Sequence, residues 1–266
     1  RGHGANRSGR PSLAAKSGDR MKKVEIGIIG GTRGMGKWFA ELLSGQGFTV
    51  HPAGRTAGLT IPKMAAHCNV VVVSVPIGIT ANIVKEVGPL MKKNALLMDL
   101  TSLKEEPVRL MMECSKAAVI GCHPLFGPQM ETKGQNVVLC PARPGKWKPW
   151  LKSVFQTAGA TVVEADPKRH DEMMAVVQGL NHLNNVMMGL AMDRMLAGLQ
   201  DIHPFTTPVF RMKMEMVEKV FCDNPGLYAE IIAGNPRIGQ ILKAYKKSLS
   251  TLERIIQKQD TRALTR

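Results

Sequence analysis

Residues 24–36 read Val24-Glu25-Ile26-Gly27-Ile28-Ile29-Gly30-Gly31-Thr32-Arg33-Gly34-Met35-Gly36. A short apolar run ends in glycines, and helical periodicity follows over Met35–Gln46. A strand, a glycine-rich turn and a helix in that order make a phosphate cradle, because helix N-terminal amides point outward and small residues let a pyrophosphate approach. Read as G-x-G-x-x-G, the frame is Gly31, Arg33, Gly36, with arginine in place of the middle glycine. A second frame uses Gly30, Gly31, Gly34 and Gly36. Gly30, Gly31, Thr32, Arg33, Gly34, Met35 and Gly36 are therefore the expected cofactor-binding loop.

Further strands are expected at Phe48–Ala53, Val70–Val75, Ala95–Leu100, Val119–Cys122, Val137–Cys140 and Thr161–Glu164, with helices between them, one over Trp147–Ala158. The run Val-Val-Val-Val-Ser-Val at 70–75 suits a strand buried on both faces, as in a parallel sheet. The alternation predicts an α/β fold: a doubly wound, Rossmann-type sheet forming a dinucleotide-binding domain over 21–166.

From Pro167 onward strand signals fade, and helical segments are expected at 167 to about 199, 207–222, 225–233 and 236–258. The domain 167–266 therefore reads as all-α. Its first helix is rich in methionine (Met173, Met174, Met187, Met188, Met192, Met195) and low in charge. The methionines read as core packing, and a helix apolar on most sides must be surrounded. That predicts a homodimer formed through the helical domain.

The second strand leads into His51-Pro52-Ala53-Gly54-Arg55-Thr56. No acid stands there to hold a ribose 2′-hydroxyl, whereas Arg55 and Thr56 suit a 2′-phosphate, so NADP is favoured over NAD. Ser74 and Pro76, at the end of the third strand, complete the expected cofactor contacts.

Of 266 residues, 36 are Lys or Arg and 21 Asp or Glu, a net charge of +15. This fits a basic enzyme with anionic ligands. With only 5% aromatic residues and no nucleic-acid motif, no nucleic-acid partner is expected. The five cysteines lack C-x-x-C spacing and read as reduced thiols, so neither a disulfide framework nor a metal site is expected. No apolar run reaches membrane-spanning length, so a cytoplasmic protein without a membrane partner is expected. Residues 1–20 read as a disordered leader, and Met21 as the natural first residue.

Chemistry is expected where strands end. Asp99-Leu100-Thr101-Ser102-Leu103-Lys104 closes one strand and Gly121-Cys122-His123-Pro124 the next. The helical half supplies His170-Asp171 and Gln178-Gly179-Leu180-Asn181-His182. His123, held between glycine and proline in a turn, is the first candidate for catalysis, with an imidazole near its ordinary pKa of ~6.5. Ser102 also reads as a helix N-cap, since Glu105 three residues on makes a capping box. His170 reads equally as a cap of its helix. His182 and Gln178, four apart, share a helix face.

With these motifs, and with Thr207-Pro208-Val209-Phe210-Arg211 and Leu227-Tyr228-Ala229-Glu230-Ile231-Ile232, the chain from Met21 to about 258 resembles the prephenate dehydrogenases of tyrosine biosynthesis. The resemblance implies oxidative decarboxylation of prephenate to 4-hydroxyphenylpyruvate with hydride transfer to NAD(P)+. It leaves open arogenate or a 4-amino analogue as substrate, and a non-catalytic NADP-binding regulator as the alternative. It implies His123 and Ser102 as catalytic, Ser102 bonding His123. Arg211, His182, Gln178, Lys219 and His170 are implied as substrate-binding. Arg211 is the leading carboxylate clamp, since a guanidinium grips a carboxylate through two hydrogen bonds. Lys219 stands where the family carries arginine, and Gln129 where it often carries an acid.

Overall fold

The computed structural model describes residues 24–196 and 202–265. The expected leader, Met21 and the end of the long helix near 199 lie outside them. Strands β1 (Glu25–Ile29), β2 (Thr49–Ala53), β3 (Val70–Val73), β4 (Leu96–Asp99) and β5 (Ala118–Pro124) run parallel in the order β2-β1-β3-β4-β5. Strand β6 (Asn136–Arg143) joins β5 antiparallel, and β7 (Thr161–Glu164) pairs parallel with β6. The last two strands thus reverse direction. The segment between β5 and β6 contains no helix, and a parallel return needs a crossover.

Alternate residues of each strand feed opposite cores, as a two-residue side-chain period requires. Ile26, Ile28, Val70, Val72, Leu96, Met98 and Ile120 pack under helices α1 (Gly34–Gly45) and α5 (Trp147–Thr157). Val71, Val73, Leu97 and Val119 pack under α2 (Ile61–His67), α3 (Ile77–Val87) and α4 (Glu105–Cys114). Sandwiched this way, β3 is buried at all four residues. Phe39 and Phe155 stack at 5.5 Å, and Trp38 of α1 meets Phe126 edge-on at 5.1 Å. The latter contact ties the segment after His123 to the helix that follows the glycine loop.

The helical half starts at α6 (Pro167–Met174), runs through a π-helical turn (Ala175–Leu180) into α7 (Asn181–Leu196), and continues with α8 (Pro208–Glu218), a second π turn (Lys219–Asp223), α9 (Pro225–Gly234) and α10 (Ile238–Gln257). Three of these helices begin alike. Asp166, Thr207 and Asn224 accept from the backbone N–H of Arg169, Phe210 and Leu227, each just before a proline whose missing N–H costs the helix nothing. The cap of α6 is therefore Asp166 and not His170.

Of the methionines expected in the core, Met174 is buried, but Met173, Met187 and Met195 are exposed. With them, Phe205, Val209, Met212, Met216 and Phe221 leave apolar side chains exposed among the described residues. Three of the six methionines are therefore not core among the described residues, while Met188 and Met192 are half-buried.

The thiols of Cys68, Cys122 and Cys140 are buried and free. Burial pushes Cys68 up to about 11 and Cys140 to about 12, so both stay protonated and inert.

A Cβ on Gly36 would stand 2.2 Å from the carbonyl oxygen of Gly30 and 3.0 Å from the Cα of Gly31, all backbone. Gly36→Ala is expected to destabilise the protein by roughly 1–3 kcal/mol, the usual range for overpacking, and to weaken dinucleotide binding. Urea unfolding and cofactor titration would check this; unchanged values for both would contradict it.

Candidate active site

The parallel register brings the strand ends together. Ile29 pairs with both Ala53 and Val73, Val73 with Asp99, and Asp99 with Gly121. The glycine loop, Gly54, Ser74 and the residues after Asp99 therefore lie along one edge of the sheet, on the side where β5 delivers His123. Strand order reverses at β1, and ligands of open α/β sheets bind in that crevice.

The loop fits a dinucleotide phosphate. Arg33 at the N-cap of α1 makes no side-chain cap bond, and the first turn holds no acid. Its amides are thus left for an outside anion. Gly34 has φ +55°, and a Cβ there would meet nothing within 4 Å, so the loop is open on that side. Gly30 and Met35 are half-buried and Gly31 is buried, while Thr32, Arg33, Arg55 and Thr56 are exposed. Ser74 is half-buried, its N–H donating to Ile29 O, and Pro76 precedes α3.

His123 lies within β5, paired with Val138, and is 3% exposed. It sits in the strand and not in the turn the sequence suggested. Its Nδ1 is 2.9 Å from Nε2 of His170, whose Nδ1 is 2.7 Å from Oδ1 of Asp171. The same carboxylate accepts from the backbone N–H of Lys104 at Oδ1 and of Glu105 at Oδ2, both 2.9 Å. An acceptor already facing two amides takes a proton donor from histidine, so His170 carries its proton on Nδ1. Its Nε2 is then the acceptor, His123 donates from Nδ1, and Nε2 of His123 keeps its lone pair. Burial, then His170, then Lys104 hold the His123 imidazole well below its ordinary value of 6.5. The sequence placed it near that value; the structure makes it a neutral base over a wider range.

Two expectations for the neighbouring loop change. The N-cap of α4 is Lys104, without a side-chain cap bond, so Ser102 and Glu105 form no capping box; Asp171 reaches across from α6 and takes those amides instead. The bond expected from Ser102 to His123 is absent among the described residues, and Nδ1 is spent on His170. Ser102 remains half-buried in the loop that follows β4. His170 is 2% exposed with both ring nitrogens engaged, so it has none left for substrate.

The other sequence candidates are spread over the helical half. Gln178 lies on the π turn, a feature frequent at functional sites, and its Oε1 is buried without a hydrogen-bond partner among the described residues. Half-buried His182 meets Tyr228 edge-on at 4.8 Å, and burial lowers its pKa. Arg211 and Lys219 are exposed, and Arg211 Nη1 donates to Thr206 O and Oγ1 at 3.2 and 3.1 Å. Neither enters the hydrogen-bonded chain at His123.

Several residues that build the site were not singled out for it by the sequence reading. Asp171 is the link between the two halves. Lys104 and Asp99 form an ion pair with both side chains fully buried, and Thr101 donates to the same carboxylate. Glu230 of α9 accepts from the N–H groups of Ile77 and Gly78 at 3.1 Å, closing the N-terminus of α3. The signal lay in the quoted motifs, where an acid and a lysine five apart flank a strand end.

Two family descriptions match: "Prephenate dehydrogenase, nucleotide-binding domain" over residues 55–164, and "Prephenate dehydrogenase, dimerization domain" over 166–266. The chain is 33% identical over 257 residues to a Methanocaldococcus jannaschii protein named "Probable arogenate/prephenate dehydrogenase", covering 89% of this chain and 58% of that one. It is 30% identical to the T-protein of Haemophilus influenzae, covering 84% and 60%. The chain thus spans about three-fifths of these relatives' length. Among solved structures, prephenate dehydrogenase from A. aeolicus, in complex with hydroxyphenyl propionate and NAD+, superposes with TM-score 0.75 at 19% identity, covering 91% of this chain and 93% of that one. Synechocystis arogenate dehydrogenase gives 0.71 at 19%, covering 91% and 95%. Those two similarities concern the fold. On the two domain matches, the chain belongs to the prephenate dehydrogenase family.

Proposed function

We propose that the protein oxidises prephenate to 4-hydroxyphenylpyruvate, with release of carbon dioxide, as a homodimer using NADP+. The observation that carries this reading is the hydrogen-bonded chain from Asp171 through His170, which leaves the outer nitrogen of His123 as a neutral acceptor beside the cofactor crevice. A nicotinamide dinucleotide held by the glycine loop supplies the hydride acceptor. His123 Nε2 takes the proton of the C4 hydroxyl as that carbon is oxidised. The C–C bond to the ring carboxylate then breaks, its electrons complete the aromatic ring, and the phenolic oxygen recovers a proton. Ser102, at the end of β4, orients the same hydroxyl. Gln178 and His182 line the pocket for the side chain, and Arg211 and Lys219 supply cations for the substrate's carboxylates.

The preference for NADP+ rests on Arg55 and Arg33, both exposed, and on the lack of an acid at the end of β2. Dimerisation is supported by the matched dimerization domain and by the exposed apolar side chains of α7 and α8. Arogenate is the second substrate reading, favoured by the double name of the M. jannaschii relative.

His123→Asn is expected to lower kcat by about 10²–10⁴-fold, the range for a general base, with cofactor affinity near normal. Steady-state kinetics with a cofactor titration measure both, and near-native turnover would reject the role.

The depressed pKa of His123 sets two pH dependences. Activity is expected to stay level through pH 6.5 and to fall only at lower pH. The unfolded chain takes up this proton at about 6.5 while the folded one resists it, so stability rises with pH and is lost as pH falls below about 6.5. Thermal unfolding from pH 5 to 8 should show that loss, and His123→Asn should flatten it; an equal slope in the variant would contradict the assignment.

A spectrophotometric assay crossing prephenate and arogenate with NADP+ and NAD+ decides substrate and cofactor, with prephenate and NADP+ expected to give the highest kcat/KM. In the same panel, Arg55→Ala should raise the KM for NADP+ and spare NAD+, and Arg211→Ala should mainly raise the substrate KM. Unchanged constants would remove either residue from its place.

A further inference from the structure

A second cluster lies at the opposite end of the strands. Glu25 opens β1, His51 lies in the middle of β2, and His67 is the last residue of α2. Glu25 Oε2 is 2.6 Å from His51 Nε2 and 3.7 Å from His67 Nε2, and one ligand atom from each of the three lies within 4.8 Å of the others. The imidazole rings stand edge-on with centroids 5.4 Å apart.

The backbone holds these groups on one face. His51 pairs with Gly27, two residues beyond Glu25, and a Cβ on Gly27 would run into Met64 and Cys68 of the α2 segment. The Glu25–Gly27 face of β1 therefore looks at α2, whose end carries His67. Glu25 N–H donates to Asn69 Oδ1 at 3.0 Å and its carbonyl accepts from Asn69 N–H, which locks the chain at that point. A shallow, open depression of about 440 Å³ lined by His51, Leu59, Lys63, Ala66 and His67 lies beside the rings. None of these groups takes part in the proposed reaction.

We propose that Glu25, His51 and His67 form a binding site for a borderline divalent transition metal, of which zinc is the probe of choice. Two imidazoles and a carboxylate are the donor set such ions select, and ligands around a tetrahedral zinc stand about 3.3 Å apart, for bonds of about 2.0–2.1 Å. The observed separations bracket that spacing. The metal takes the place of the direct contact between Glu25 and His51, and the open depression leaves room for water in the remaining coordination position. The ion fastens the edge strand β2 and helix α2 to β1, a sheet edge otherwise held by backbone bonds on one side only. The site was not visible as a sequence motif because its ligands come from three elements 16 to 42 residues apart.

The test uses the full chain, freed of metal with a chelator and titrated with zinc chloride by calorimetry at pH 7.5, with Cys222→Ser as background to remove the exposed thiol. One ion per chain is expected, with a rise in Tm. His67→Ala, at an exposed helix end, should weaken binding at least tenfold and abolish the rise in Tm. Lowering the pH to 5.5 should release the metal, because protonated imidazoles cannot ligate. His51→Gln provides a second variant at a strand position, and its circular dichroism shows whether it has folded. No stoichiometric binding, or equal affinity in the folded His67→Ala protein, would overturn the proposal.

Discussion

The carboxylate of Asp171 joins the two halves of this protein. It belongs to the first helix after the sheet, yet it accepts the N–H groups of Lys104 and Glu105 at the start of α4 and a ring N–H of His170. Its own backbone carbonyl receives Asn235 Nδ2 from the corner between α9 and α10. A buried carboxylate is costly unless its lone pairs are met, and a helix N-terminus meets them while the helix dipole favours the negative charge. One residue thus sets how the helical half docks and which nitrogen of His123 bears hydrogen.

A second polar group makes this arrangement rigid. Asp99 and Lys104 are both fully buried and paired within one loop, with Thr101 bonded to the same carboxylate. Removing one partner of such a pair typically costs about 3–5 kcal/mol, because the other is left as an unpaired buried charge. The gain is a fixed path between β4 and α4, so the backbone amides that Asp171 needs are presented in place. The charge of Lys104 also reaches His123 and helps keep it neutral.

The seven strands and most helices were legible in the sequence. A β-branched run such as Val70–Val73 between glycine- and polar-rich turns has little choice but a buried strand, and Asp166-Pro167, Thr207-Pro208 and Asn224-Pro225 mark helix starts by their chemistry. What was not legible depends on contacts between distant segments. Periodicity carries no sign of strand direction, so the reversal at β6 was missed. Ser102 and Glu105 have the spacing of a capping box, but Asp171 competes for the same amides from 66 residues away and wins with both oxygens. His170 looked like a ligand or a cap because only the fold shows both its nitrogens taken. The long helix read as one piece is broken by a π turn at Ala175–Leu180, which small local sequence differences do not announce. The methionines were read as core packing on a helix that also needs a dimer partner to surround it; within the described residues Met174 is buried while Met173, Met187 and Met195 face outward.

The most direct measurement of the central claim is the side-chain nitrogen spectrum of protein labelled with ¹⁵N-histidine, recorded at pH 7.5 with His123→Asn and His170→Asn used to assign the rings. The account predicts a hydrogen on Nδ1 of both rings and a neutral His123 whose Nε2 carries none. A His123 ring protonated at Nε2, or charged at that pH, would contradict it.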